Sequence, residues 1–303
     1  MELSIETLSH SLVGEVFKAL GLPEDGRARR WFGPLFRKAT DRLSRFGVTF
    51  DQMCAAEGFH KAAEWALTNW CKDIRARGLE HVPADRPLLV VSNHPGTYDA
   101  LVIISRLKRD DIRLIASDIP FLKHLPHARE HFFFVDSNTQ TRARATRNGL
   151  RHLENGGALL LYGTGLIDPD PAISAEAPRH VDRWSKSIEL FLRHAPETRV
   201  ILAVVSHVVS LRWARSPLVW LRRMPLDKRR LVEFGQVLQQ LFFPGSLFLS
   251  PCLSLHPPIA VEELRAEAGS SGILPLLIAR EKALMSEHLA AFGGLPLSSA
   301  TRS

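Results

Sequence analysis

The segment PLLVVSNHPGTYD, residues 87–99, joins an apolar run to a polar turn. The run is short and ends at turn-forming residues, which predicts a buried strand over residues 88–91. The turn contains His94 and Asp99, five positions apart, with Pro95 and Gly96 between them. Because Pro and Gly favour a turn, we expect the chain to fold back and bring the Asp99 carboxylate to one imidazole nitrogen of His94.

After residue 80, short apolar runs alternate with helical stretches. This alternation predicts an α/β fold, in which helices flank a largely parallel central sheet, preceded by an N-terminal helical element. The predicted strands cover 88–91, 112–116, 132–135, 158–161, 200–205 and 247–253. The predicted helices cover 12–20, 27–46, 50–77, 98–107, 139–154, 181–194 and 229–241. The predicted units are a helical region over 1–80, an α/β domain over 81–292 and a tail over 293–303.

Positive charge is concentrated in two segments of the chain. Residues 26–45 and 211–230 each hold seven Arg or Lys and one Asp, whereas the whole chain has a net charge of +7. Large apolar residues stand between the basic ones, as in helices that lie on an anionic bilayer. We therefore expect an anionic membrane surface, and no nucleic acid, as a partner; two solvated basic helix faces are the alternative.

Several kinds of site and segment are not expected. Cys54, Cys71 and Cys252 have no metal-binding spacing, so no metal site is predicted, and they fit a reducing compartment. Residues 1–17 lack the basic start of a secretory signal. No apolar run reaches the roughly 18 residues that span a bilayer. The predicted location is cytoplasmic, peripheral or monotopic on the inner face of the cell membrane.

His94 and Asp99 have the chemistry of a general base and its partner. Histidine titrates near neutral pH, and a carboxylate on one ring nitrogen fixes its tautomer and stabilises the imidazolium. No G-x-S-x-G segment supplies a nucleophilic serine. The base would therefore act on a hydroxyl or amine of the substrate. Alternatively, the pair is structural and Asp99 caps the helix that follows.

The order Asn93-His94-x-x-x-x-Asp99 after an apolar strand resembles the first motif of the phospholipid/glycerol acyltransferase family, the glycerol-3-phosphate and lysophosphatidic acid acyltransferases. The resemblance implies that His94 is the general base and that Asp99 orients it. It implies that an acceptor hydroxyl attacks the thioester of acyl-CoA or acyl carrier protein, with no further cofactor. Asn93 and Gly96 are then expected to contribute to substrate binding.

A second segment, FFVDS over residues 133–137, resembles the family's second motif, an apolar strand that ends in Asp-Arg. In the family, that arginine helps to bind the phosphate of the acceptor, and here Ser137 stands in its place. Arg142 or Arg144, near the start of the following helix, could take over this role. A solvated basic helix face is the alternative interpretation of these arginines.

A third segment, LLYGT over residues 160–164, resembles the family's Phe-Pro-Glu-Gly-Thr motif. It retains Gly163 and Thr164, whereas Leu161 and Tyr162 replace the Pro and Glu. Backbone amides at this turn could hold a phosphate or an oxyanion. A plain loop at the end of a strand is the alternative.

The resemblance covers about residues 80–265 and implies an acyltransferase of phospholipid biosynthesis. Its expected reaction transfers a fatty acyl group to a hydroxyl of a glycerophospholipid precursor or related lipid. The expected partners are an acyl thioester donor, a lipid or lysolipid acceptor and the anionic membrane surface. Two alternatives remain: a non-catalytic protein that binds lipid or acyl carrier, and a thioester hydrolase in which His94 activates water.

Overall fold

An eight-stranded sheet runs through the described part of the chain, which comprises residues 12, 26–221 and 224–293 of a computed structural model. Its strand order is β1-β7-β6-β2-β5-β3-β4, with β8 also paired to β6. The strands β6, β2, β5, β3 and β4 are parallel, whereas β7 and β8 run antiparallel to β6. The predicted α/β class with a largely parallel sheet is confirmed. The strands are β1 Arg75–Arg77, β2 Leu88–Ser92, β3 Arg113–Ser117, β4 Phe132–Val135, β5 Ala158–Tyr162, β6 Arg199–Ser206, β7 Cys252–Leu255 and β8 Ile259–Ala260.

Helices cover both faces of the sheet, and the strand β2 shows how. Leu88 and Val90 belong to the core cluster on one face, together with Phe59 of α2, whereas Leu89 and Val91 belong to the cluster on the other face. A strand that is buried on both faces consists of consecutive apolar residues. This is why the sequence predicted a buried strand here. The helices are α1 Gly26–Glu57, α2 Phe59–Thr68, α3 Asp99–Leu107, α4 Pro120–Lys123, α5 Thr139–Glu154, α6 Ala177–Val181, α7 Ser187–His194, α8 Leu211–Ala214, α9 Pro225–Phe242, α10 Val261–Ala268 and α11 Ile273–Phe292.

The predicted break between two N-terminal helices at Gly47 is wrong, because α1 continues to Glu57. A Cβ atom at position 47 would lie 2.4 Å from the ring of Phe121, so this glycine allows close packing within a helix. The chain instead breaks at Gly58, whose φ of 94° is unfavourable for other residues. The predicted helix over 12–20 lies outside the described residues except for residue 12, and the predicted tail lies outside them after residue 293.

Three further predictions of secondary structure need correction. The end of the predicted helix over 50–77 is the strand β1, which pairs with β7. The predicted helix over 181–194 is divided into α6 and α7. The predicted strand over 247–253 is shorter and shifted to β7, because Pro251 has no amide hydrogen for a sheet. Among the described helices, none is both long enough and apolar enough to cross a membrane.

Asn93 connects the ends of the two central strands β2 and β6. Its buried side chain donates to the carbonyl of Val205 at 2.9 Å and accepts from the amide of Val205 at 2.8 Å. These two bonds satisfy backbone groups that would otherwise be buried without a partner. They also fix the start of the loop that carries His94.

Replacing Asn93 with alanine is expected to lower the free energy of unfolding by about 2–4 kcal/mol, because two buried backbone groups lose their partners. Urea denaturation followed by circular dichroism measures the change. Asn148→Ala, at an exposed position of α5, is the control and should change stability by less than about 0.5 kcal/mol. Equal effects of the two substitutions would contradict a structural role of the Asn93 bonds.

Candidate active site

The centre of the site is the turn between β2 and α3. Nδ1 of His94 lies 2.8 Å from Oδ2 of Asp99, and the Gly96 amide donates to the same oxygen at 3.0 Å. Asp99 is the first residue of α3 and Tyr98 is its N-cap residue, so the alternative in which Asp99 merely caps the helix is wrong. The Asp99 side chain is 1% exposed and the His94 side chain 24% exposed. Asp99 is therefore an internal partner, and the imidazole is open to a substrate.

Tyr162, at the end of β5, completes the surroundings of this pair. Its hydroxyl donates to Oδ1 of Asp99 at 2.5 Å, and its ring stacks on His94 with 4.0 Å between centroids. The contact follows from the sheet, because Ser92 of β2 and Tyr162 of β5 are register partners. Tyr162 stands where the family resemblance expects a glutamate. Its role as a second partner of Asp99 was not predicted.

Asp168, in the long loop after β5, holds the backbone of His94. Its Oδ2 accepts from the His94 amide at 3.0 Å, and its own amide donates to the His94 carbonyl at 2.7 Å. The other carboxylate oxygen accepts from the Thr164 hydroxyl at 2.9 Å and lies 3.3 Å from Nδ1 of His180. Thr164 therefore reaches the site through Asp168. Asp168 itself was missed in the sequence, because nothing there links residue 168 to residue 94.

Gly163 supports the site by close packing. Its amide donates to the Ser92 carbonyl at 2.9 Å, so this amide is not available for a phosphate or an oxyanion. A Cβ atom here would lie 2.2 Å from Nε1 of Trp184, which leaves room only for glycine. Gly163 lies beside the start of the turn that carries His94, because Ser92 and Gly163 are bonded neighbours at the ends of β2 and β5. Its role in substrate binding stays a prediction.

The helix α9 borders the site with one polar stripe. Glu233 accepts from the Thr97 hydroxyl at 2.5 Å, in the same turn as His94. One turn further along, Gln236 accepts from the amide of Ser210 at 3.0 Å, and its own amide group donates to a neighbouring carbonyl. Gln240 accepts from the hydroxyl of Tyr98. Positions 233, 236 and 240 share one helix face. Glu233 was not among the predicted site residues.

The charges around His94 decide its protonation. Burial lowers the pKa of His94, but the Asp99 charge and hydrogen bond outweigh this effect, with further contributions from Glu233 and Asp168. The net effect of these groups raises the pKa of His94 to about 9. Tyr162 adds a hydrogen bond to Asp99 but no positive charge. At neutral pH the free imidazole is therefore mostly protonated, and the fraction able to accept a proton grows as the pH rises toward 9.

Ser137, Arg142 and Arg144 are not brought to His94. They follow β4, at the edge of the sheet, three strands away from β2, which corresponds to roughly 14 Å across the sheet. A guanidinium nitrogen of Arg142 lies 3.4 Å from the Ser137 carbonyl, and Arg144 lines a shallow groove along β4. Their role in phosphate binding stays a prediction. Among residues 26–221 and 224–293, no cluster of His, Cys, Asp or Glu is arranged to hold a metal ion.

The pKa of His94 gives a testable pH dependence. If neutral His94 is the base, kcat/KM should rise with pH until the proton is lost near pH 9. In Asp99→Asn, the loss of the adjacent charge should lower the pKa of His94, so the rising limb should move down by about one to three pH units. The maximal rate should fall about tenfold or more, because the imidazolium that forms has lost its counter-charge.

A pH–rate profile for each variant measures both effects. Asp110→Asn is the matched control, since Asp110 lies 2.7 Å from the imidazole of His60 on the protein surface. The control should leave the profile unchanged. A profile of Asp99→Asn that coincides with that of the wild type would rule out His94 as the titrating base.

The segment that carries His94 and Asp99 is similar to a known protein family. Residues 73–173 match a family model described as Acyltransferase, a segment that contains β1 to β5 together with His94, Asp99 and Asp168. No curated protein matches the chain. Among solved structures, the chain is similar to the 1-acyl-sn-glycerophosphate (LPA) acyltransferase PlsC from Thermotoga maritima, with 15% identity and a TM-score of 0.46 over 92% of this chain and 87% of that chain. Residues 73–173 of this chain are therefore similar to the acyltransferase family.

Proposed function

We propose that the enzyme transfers a fatty acyl group from acyl-CoA or acyl carrier protein to a hydroxyl of a glycerophospholipid precursor or related lipid. His94 is the general base in this proposal, Asp99 is its partner, and no cofactor is required beyond the acyl donor. One observation carries the proposal. Within the acyltransferase segment, Asp99 holds Nδ1 of His94 at 2.8 Å, while Nε2 bonds to none of the described residues and the ring is partly exposed.

The geometry supports direct transfer in one addition and one elimination. Neutral His94 takes the proton of the acceptor hydroxyl on Nε2 as the oxygen attacks the thioester carbonyl. The tetrahedral intermediate then expels the thiolate, and the imidazolium returns the proton to the sulfur. Asp99 stabilises the imidazolium between these steps, and no acyl-enzyme forms. Because Ser137, Arg142 and Arg144 lie at β4, we propose them only as contacts for a headgroup that extends along the sheet.

A transfer assay tests the proposal. Purified protein is incubated with acyl-CoA and a panel of lysolipids, and thiol release and acylated products are measured by absorbance and mass spectrometry. We expect thiol release to match the formation of acylated lipid. His94→Ala should lower the rate about a hundredfold to ten-thousandfold, because the base is lost.

His60→Ala is the control and should retain the wild-type rate, since the imidazole of His60 pairs with Asp110 on the protein surface. Thiol release that yields only free fatty acid would support the hydrolase alternative. Absence of turnover with both acyl-CoA and acyl carrier protein, or full activity of His94→Ala, would contradict the proposal.

We further propose that the surface around α8 and α9 rests on an anionic membrane. Large apolar side chains are exposed at the two ends of α9, with Met224 64% and Phe243 66% exposed. Arg212 of α8 and Arg215, which follows α8, are also exposed. The helix α9, which begins in the second basic segment, packs on α1, which contains the first, and the Arg42 guanidinium donates to the Leu241 carbonyl. Exposed apolar side chains with adjacent arginines fit the boundary between headgroups and acyl chains.

Membrane contact predicts salt-sensitive binding to anionic vesicles. In co-sedimentation, the protein should bind vesicles that contain phosphatidylglycerol, and binding should fall as salt rises. The double substitution Leu218→Ser and Met224→Ser should weaken binding about tenfold or more, because two exposed apolar side chains are lost. Leu190→Ser, an exposed leucine on α7, should have no effect. Equal binding to phosphatidylcholine alone would contradict the role of the basic residues.

A further inference from the structure

Glu233 of α9 has a carboxylate oxygen that the protein does not use. Its Oε1 accepts from the Thr97 hydroxyl at 2.5 Å, whereas Oε2 hydrogen-bonds to none of the described residues. A Cβ built on Gly96 would lie 3.8 Å from Oε1, which places the carboxylate beside the turn that carries His94. The half-buried Glu233 therefore presents an open hydrogen-bond acceptor next to the base.

The other carboxylates of the site have no such opening. Oδ2 of Asp99 accepts from His94 and Gly96, and Oδ1 accepts from Tyr162. Both oxygens of Asp168 are likewise bonded, to the groups already described. These two aspartates have structural and orienting contacts that account for their position. Glu233 accepts one hydrogen bond, from a neutral hydroxyl, and this bond engages only one of its two carboxylate oxygens.

Keeping Glu233 in this position costs free energy. Burial raises its pKa, and the negative charge of Asp99 acts in the same direction. The positive charges of His94 and Arg230 oppose this effect, but no Lys or Arg among the described residues forms an ion pair with Glu233. A partly desolvated carboxylate that forms no ion pair with Lys or Arg gains from a partner that donates a hydrogen bond.

The carboxylate is also held in place before any ligand arrives. The Thr97 bond fixes one oxygen, and the buried amides of Gln236 and Gln240 fix the same face of α9 to the loop after β6 and to Tyr98. A group that is fixed in advance loses less entropy when it binds a ligand. This is the arrangement expected of a recognition group and is more than helix packing requires.

We propose that Glu233 binds the acyl acceptor, with Oε2 accepting a hydrogen bond from a second donor group that lies next to the reacting hydroxyl. The donor is a hydroxyl or an ammonium group on the adjacent carbon, so the acceptor class is a vicinal diol or an amino alcohol. The inference rests on the proposed acyl transfer and names the part of the acceptor that this site selects. A carboxylate here disfavours an anionic group at that carbon, because two negative charges would face each other.

The test combines a change in the enzyme with a change in the acceptor. Glu233→Gln retains the size of the side chain and an oxygen for Thr97, but replaces Oε2 with a donor. Wild-type enzyme and Glu233→Gln are each assayed with acyl-CoA and three acceptors. They are a glycerol monoalkyl ether, its analogue with hydrogen in place of the hydroxyl that is not acylated, and its analogue with an amino group there. Each enzyme is assayed on the plateau of its own pH profile, so that a change in the pKa of His94 does not contribute.

We expect wild-type enzyme to prefer the diol or the amino alcohol over the hydrogen analogue by about ten- to a hundredfold in kcat/KM, mainly through the acceptor KM. Glu233→Gln should lose this preference, so that its kcat/KM for the diol or the amino alcohol falls to about that for the hydrogen analogue. Preference for the amino alcohol identifies an ammonium as the donor, and preference for the diol identifies a hydroxyl. Asp227→Asn, the same chemical change at an exposed position of α9, should retain the wild-type preference.

Two outcomes would overturn the inference while acyl transfer stands. In the first, Glu233→Gln slows the transfer to all three acceptors by the same factor, so that Glu233 acts only through His94 or the fold. In the second, the wild-type enzyme acylates lysolipids but shows no preference among the three probes, or uses none of them. Absence of transfer to the probes and to every lysolipid would overturn the proposed function and this inference together.

Discussion

The carboxylate of Asp99 is the group on which the geometry of the site depends. It is 1% exposed, and an isolated charge at such a depth would be strongly unfavourable. Hydrogen bonds from the Gly96 amide and the Tyr162 hydroxyl, together with contact to His94, make it tolerable. These three groups come from the end of β2, the turn that follows it and the end of β5. The parallel pairing of the two strands is therefore a condition for burying the Asp99 side chain with its partners.

In the proposed mechanism, the negative charge of the site has a cost as well as a use. Asp99, Glu233 and Asp168 together favour the protonated form of His94, which cannot accept a proton. The same charges stabilise the imidazolium that forms when the acceptor is deprotonated. Relative to neutral His94, the charges therefore favour the state that follows proton abstraction. A ligand that brings positive charge to Glu233 would lower the pKa of His94 and release the base where the acceptor is bound.

The sequence predicted the structure well where a single strand or helix determines it. The apolar run before His94 is buried on both faces of the sheet, and the helix over 139–154 was predicted with its observed bounds. Contacts between distant segments were not predictable, because strand order and helix packing decide them. Tyr162 meets Asp99 through the β2–β5 register, and Glu233 arrives on a helix that lies more than a hundred residues after His94. Gly47 and Gly58 look alike in the sequence, but only one of them has a positive φ.

The position of β6 in the sheet limits where this chain can be shortened. The strand lies between β2 and β7 at the centre of the sheet, yet it begins at Arg199, after the segment that matches the family model has ended. A protein cut at residue 173 would present one whole edge of β2 to solvent and leave Asn93 without Val205. Exposed central edges promote association between chains. The minimal unit for expression, or for exchange between relatives, therefore has to include β6.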